Sequence, residues 1–261
     1  MSSNSNPLKR ALWCLYQAFV WLELLVHERV MRAVRRVRTP LSELALKRFL
    51  TCDHRTRNKV IADFGMPLFE GMHPKNIFNF RYQFFLENVG PQDVVLDVAC
   101  GSGLLLSKIS PAIQAGFGVE LSKQQLELCR IHPAQKNLSF IEGDIFKFDY
   151  ASLSAASDMS GTGHARSVSI ALFSHILEHI EDVPSLLRKV AAPTVLICVP
   201  SQENWLTQLK IHYGLPYLTD ATHFREYTRE MLAKELTAAG YRTSFMGFNS
   251  EGEIICRAER E

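Results

Sequence analysis

Nowhere in the 261 residues do two cysteines form a C-x-x-C pair. Cys14, Cys52, Cys100, Cys129, Cys198 and Cys256 are scattered, which argues against a disulfide framework and against a zinc knuckle. The pattern fits a reducing compartment, with most of the thiols serving as small core residues. Internal repeats are absent, so solenoid architectures drop out. Strong net charge is absent too: the formal value is +2, which gives no whole-molecule reason to expect nucleic acid as a partner. An unbroken apolar run of about twenty residues, the length that crosses a bilayer, is also missing. The best candidate, "ALWCLYQAFVWLELLV" (11–26), contains Gln17 and Glu23. No small-residue cleavage site follows it, which disfavours a signal peptide.

The charge that is present sits at one end. Residues 1–59 hold 12 Lys/Arg against 4 Asp/Glu, a balance of +8, so residues 60–261 carry −6. The apolar run continues into "HERVMRAVRRVR" (27–38), which reads as one long helix turning amphipathic and basic. Such a helix can pack on its own domain or on a second subunit. It can also lie on an anionic membrane surface through residues 8–38. RNA remains an alternative partner, although no recognised RNA-binding motif accompanies the basic face. The expected organisation is a basic helical extension (1–59) followed by one domain (60–261). Residues 60–90 would cap one side of that domain and 151–167, rich in Gly and Ser, would form a flexible loop. Cytoplasmic placement is expected, peripheral at a membrane if the helix binds lipid. The sequence leaves oligomeric state open.

From residue 90 strands and helices alternate. Strands are expected over 93–99, 115–121, 138–146 with its turn, 168–174 and 194–200. Helices are expected over 104–110, 122–132 with Ser122 as N-cap, 183–192 and 228–240, and a hairpin closes the chain. That alternation implies a mostly parallel α/β sheet covered on both faces. Ligands of such sheets bind beyond the carboxyl ends of the strands.

Three acidic residues fall at three successive strand ends. Asp97 lies within "LDVACGSG", with Gly101 and Gly103 in the turn after it. Glu120 comes 17 residues after Gly103, where a carboxylate can accept hydrogen bonds from ribose hydroxyls. Asp144, in "EGDIF", is positioned to receive an adenine amino group. A nicotinamide dinucleotide site is the main rival, but Leu106 occupies the place of the third glycine in G-x-G-x-x-G. An acid beside the first turn also suits cationic amino and sulfonium groups better than a pyrophosphate.

The ordered series "VLDVACGSG", "GVELS", "EGDIF", "ALFSHILEHIED", "VLICVPS" and "AAGY" resembles class I S-adenosylmethionine-dependent methyltransferases over roughly residues 75–258. The resemblance implies a Rossmann-like, seven-stranded, mostly parallel sheet with an antiparallel C-terminal strand. It implies S-adenosylmethionine as cofactor, bound by Asp97, Ala99, Gly101, Gly103, Glu120, Leu121, Asp144, Ile145 and Ser174. Ala99 departs mildly from the family, which usually has glycine or a similar small residue there.

"FSHILEHIED" (173–182) gathers His175, Glu178 and His179; on a helix, spacings of three and four residues share one face. Its literal H-x-x-E-H pattern matches inverted zinc-protease helices, but the strand before it belongs to a nucleotide-type sheet. Ubiquinone-pathway and small-RNA O-methyltransferases resemble this stretch, with Glu-x-x-Glu-His where His175 to His179 stand here. That resemblance implies a divalent metal on His175, Glu178, His179 and, from "DATHFREYTRE" (220–230), His223. A three-His, one-Glu set would suit zinc better than Mg²⁺. Alternatively His175, His179 or His223 acts as a catalytic base or orients the acceptor, or the group is structural. The resemblance makes 60–90 an acceptor-side cap, and within it "GMHPKN" (71–76) weakly resembles glycan-pathway methyltransferases, which implies acceptor contacts from His73, Lys75 and Arg81. The expected reaction is methyl transfer to a hydroxyl of a glycan, glycolipid or lipid-like small molecule. RNA 2′-O-methylation and a non-catalytic donor-binding module are the alternatives.

Overall fold

The structure is a computed structural model that describes residues 44, 46–48, 50, 81–129, 136–153, 167–218 and 220–261. The basic segment 8–38, His73, Lys75 and most of the 151–167 loop lie outside the described residues. The chain divides into two compact units, Met1–Phe78 with Leu209–Tyr217, and Asn79–Gln208 with Leu218–Glu261. In the first, Leu50 is buried and the Lys47 ammonium stands 5.1 Å over the Tyr213 ring. Among the described residues no helix is long and apolar enough to cross a membrane.

The second unit is built on a seven-stranded sheet in the order β3-β2-β1-β4-β5-β7-β6. Its strands are β1 (Val94–Val98), β2 (Ala115–Glu120), β3 (Leu138–Glu142), β4 (Ile170–Ser174), β5 (Thr194–Val199), β6 (Tyr241–Phe248) and β7 (Ile254–Arg260). The first five pair in parallel, and β7 runs antiparallel between β5 and β6. Every residue of β1 is buried, because helices covering both faces require an apolar run rather than alternation.

The helices are α1 (Arg81–Glu87), α2 (Leu104–Ile109), α3 (Lys123–Cys129), α4 (Val183–Val190), α5 (Trp205–His212) and α6 (Arg229–Ala238). In α4 the Asp182 carboxylate accepts from Ser185 N at 3.1 Å, and Val183, Leu186, Leu187 and Val190 form one buried stripe. Burying each such side chain contributes about 1.5–3 kcal/mol. Thr228 caps α6 through Met231 N, and Gly240 comes after it at φ 81°, the left-handed position expected beyond a helix. Phe84 and Phe85 of α1 are buried, packing edge to face at 5.3 Å, so they serve the core.

Parallel strands bring their carboxyl ends to one edge. Register places Asp97 beside Leu172, Glu120 beside Glu142, and Ser174 beside Cys198. The strand order reverses between β1 and β4, so the turns leaving those two strands meet at the switch point.

Candidate active site

The turn after β1 is held in an unusual conformation. Ala99, Gly101 and Gly103 have φ of 59°, 54° and 69°. Ala99 thus does glycine's work despite its Cβ, at a cost of roughly 1–2 kcal/mol. Gly103 tolerates no such replacement: an added Cβ would stand 2.5 Å from Phe140 Cε1 and 3.0 Å from Cys129 Sγ. Cys100 N donates to Val119 O at 3.1 Å, tying the turn to β2.

Glu120 holds that turn from the next strand end. Its Oε2 accepts from Gly101 N at 2.9 Å and its Oε1 from Ser122 N at 2.8 Å. A carboxylate has about four acceptor sites, so ribose hydroxyls can still be received there. Asp97 is buried, and burial, reinforced by the Glu120 charge, pushes its carboxyl up to about 8. A buried acid in that state is matched by a ligand bringing an ammonium or sulfonium group. Asp144 accepts from Phe146 N at 2.9 Å, and that bond holds its carboxyl below the usual range. Ile145 is buried with the core, while Leu121 is 67% exposed on the rim of the turn. Ser174 ends β4, immediately before the histidine stretch.

That stretch is not a helix. Only Leu177–His179 form a single 3-10 turn, and His175 sits at φ 55°. A shared helical face therefore does not bring the side chains together. The expected four-ligand centre is divided as a result. His175 turns toward β5 and the β6–β7 turn: its Nε2 lies 3.0 Å from Glu253 Oε1 and 4.0 Å from Cys198 Sγ. Its Nδ1 lies 3.2 Å from Glu178 Oε1, so both ring nitrogens face carboxylates. Glu178, His179 and His223 form the other group, with one ligand-type atom from each within 4.8 Å of the others.

Glu178 is fully buried; its Oε1 has the ion-pair contact with His175 Nδ1 at 3.2 Å, while its Oε2 has no hydrogen-bond partner among the described residues, and His223 Nδ1 has only Glu226 Oε1, at 3.9 Å. The His179 and His223 rings meet edge to face at 4.6 Å. Loss of hydration, chiefly, lowers the pKa of His223. Phe224 N donates to Glu178 O at 2.9 Å, fastening the loop before α6 to the 3-10 turn. Behind it, Tyr227 OH donates to Glu235 Oε2 at 2.8 Å, and Arg225 pairs with Glu235 at 2.6 Å. Arg225 is thereby committed to the scaffold.

Sequence reasoning missed Cys198, Glu253, Asp220 and Thr222, which reach this region from β5, the β6–β7 turn and the loop before α6. No spacing rule links residues that meet only through tertiary structure.

Comparison with known proteins agrees with this geometry. A family model described as a methyltransferase domain matches residues 56–243. The ubiquinone biosynthesis O-methyltransferase of Bartonella tribocorum is 26% identical over 150 residues, covering 54% of this chain and 56% of its own. The chain thus aligns with little more than half of that curated relative. Among solved structures, CalO1, a methyltransferase of calicheamicin biosynthesis in its S-adenosylhomocysteine-bound form, superposes with a TM-score of 0.55 at 19% identity, over 77% of this chain and 58% of that one. An S-adenosylmethionine-dependent methyltransferase of Aquifex aeolicus gives 0.50 at 15% identity, over 71% and 92% of the two chains. With the acids at three strand ends, the left-handed turn and the β5-β7-β6 order, the chain belongs to the methyltransferase-domain family, with the fold of class I S-adenosylmethionine-dependent methyltransferases.

Proposed function

We propose that this protein transfers the methyl group of S-adenosylmethionine to a hydroxyl oxygen of a glycan, glycolipid or lipid-like small molecule. The observation that carries the oxygen assignment is the imidazole and carboxylate group after β4, at the strand end next to the donor turn. A hydroxyl must lose its proton as its oxygen takes the methyl group, and a positioned imidazole receives such a proton. His175 faces two carboxylates and is a positioning residue. The His223 side chain is largely covered and set edge-on against His179. That leaves His179 as the base. The sulfonium supplies its own leaving group, so the remaining task is alignment of oxygen, methyl carbon and sulfur.

Methyl-labelled S-adenosylmethionine, supplied with fractionated cell extract, tests this reading. Label is expected in the glycan or lipid fraction; label in RNA alone would replace that acceptor class, and label in neither would refute the proposal.

The buried Glu178 carboxylate, with its Oε2 lacking a hydrogen bond among the described residues, and its closeness to His179 and His223 favour a second reading, in which Glu178, His179 and His223 hold a divalent ion. When bound, such an ion supplies Lewis acidity toward an oxygen. His175 would stand outside that set. Metal analysis of the purified native chain and a Glu178→Ala variant tests it: a native protein that is metal-free and fully active in chelator would reject the ion.

A further inference from the structure

We infer that Thr222 and Asp220 are positioning residues that fix the tautomer of His179. They place the ring proton on Nδ1 and leave the lone pair on Nε2, the atom that receives the acceptor's proton. The purpose of this arrangement rests on the hydroxyl-acceptor reading above; the geometry does not.

Three distances carry it. Asp220 Oδ1 accepts from Thr222 N at 2.8 Å and from Thr222 Oγ1 at 2.7 Å. Thr222 Oγ1 in turn lies 2.9 Å from His179 Nδ1. A hydroxyl has one proton to give and two lone pairs. Asp220 is an acceptor only, its carboxyl held below the usual range chiefly by the Thr222 N–H. The hydroxyl proton therefore points at Asp220, and the hydroxyl must accept at its other contact. Nδ1 of His179 has to be the donor. The opposite arrangement would bring a carboxylate oxygen to within 2.7 Å of a hydroxyl oxygen with no proton between them.

The surroundings keep the chain of contacts in place. The bond from Phe224 N to Glu178 O pins the loop carrying Thr222 to the turn carrying His179. The edge-to-face contact with His223, at an interplanar angle of 80°, restricts rotation of the ring. In the reaction the acceptor O–H bond breaks and its proton goes to Nε2. The oxygen's electron pair forms the new bond to the methyl carbon, and the C–S bond breaks to leave a neutral thioether. The imidazolium that results keeps its Nδ1–H on Thr222, with the Asp220 charge just beyond.

The test is imidazole nitrogen NMR on the full chain, labelled with ¹⁵N-histidine at mildly alkaline pH, where an ordinary imidazole is neutral. A His179→Gln variant assigns the signals. The native protein is expected to show a pyrrole-like Nδ1 and a pyridine-like Nε2 at His179. In Thr222→Val or Asp220→Ala the Nδ1–H form should lose its excess, and Thr222→Ser should keep it. An Nε2–H tautomer in the native protein, or a native-like spectrum in Thr222→Val, overturns the inference. Thr222 is exposed, so these variants should fold, and calorimetry should find donor affinity within about twofold of native. Failure of the native chain to bind S-adenosylmethionine would sink the methyl-transfer reading instead, and the tautomer spectrum would still decide this one.

Discussion

Replacing Asp97 with asparagine should separate the protein's stability from its ligand binding. The carboxyl stands at about 8 in the fold against an ordinary 3.8, so between those values the folded chain keeps a proton that the unfolded chain has released. Stability rises with pH only where the unfolded state binds more protons. Here the folded state binds more, so the ligand-free protein loses stability as pH rises from about 4 to about 8. Each pH unit in that window costs about 1.4 kcal/mol. From about pH 5 to about pH 8 the loss at this one group is therefore roughly 4 kcal/mol. An amide of nearly the same shape does not titrate. Asp97→Asn should overtake the native chain as pH rises, and at about 2–4 °C per kcal/mol for a domain of this size the gap near pH 8 should approach about 10 °C. Thermal melts of both proteins across this range, without ligand, give the difference curve directly and cancel the other titrating groups. Donor affinity should change in the opposite sense. The native chain should bind S-adenosylmethionine better as pH rises, and the variant should lose roughly two orders of magnitude, with the pH dependence gone. Parallel melting curves for the two proteins would refute the assignment of Asp97 as a buried acid awaiting a cation.

Other substitutions test separate parts of the site. Glu120→Gln removes a charged acceptor from Gly101 N and Ser122 N, so calorimetry should record donor affinity reduced about 10- to 100-fold. Gly103→Ala should lower the melting temperature and abolish donor binding, because the methyl group meets Phe140 and Cys129; the melt and the titration can be read on one sample. Tyr227→Phe leaves a Glu235 oxygen without its donor at 2.8 Å, and denaturant unfolding should show a loss of about 1–3 kcal/mol with donor affinity unchanged.

The positions of the strand-end acids were legible because class I sheets repeat one device. Each parallel strand ends at the same edge, so Asp97, Glu120 and Asp144 could be placed by counting strands. Even Ala99, where glycine is usual, proved a local question, answered by its left-handed φ. The arrangement of the histidines was not legible in this way. Spacing put His175, Glu178 and His179 on one helical face, but the chain makes only one tight turn there and His175 swings toward β5 and the β6–β7 turn. Its partners, Cys198 and Glu253, and the Asp220–Thr222 pair behind His179 come from elements that no periodicity connects. Helix α5 also escaped notice: Trp205 is largely exposed and the segment has no clear apolar stripe.

The position of β7 has a consequence for how the chain is made. Strand β6 is synthesised first, yet it pairs with the sheet only through β7. A nascent chain that has not yet delivered Ile254–Arg260 leaves the buried β5 strand with an open edge, free to pair with another molecule. Completion of the sheet must wait for Ile254–Arg260 to leave the ribosome, and aggregation during synthesis should be concentrated in the interval before they do.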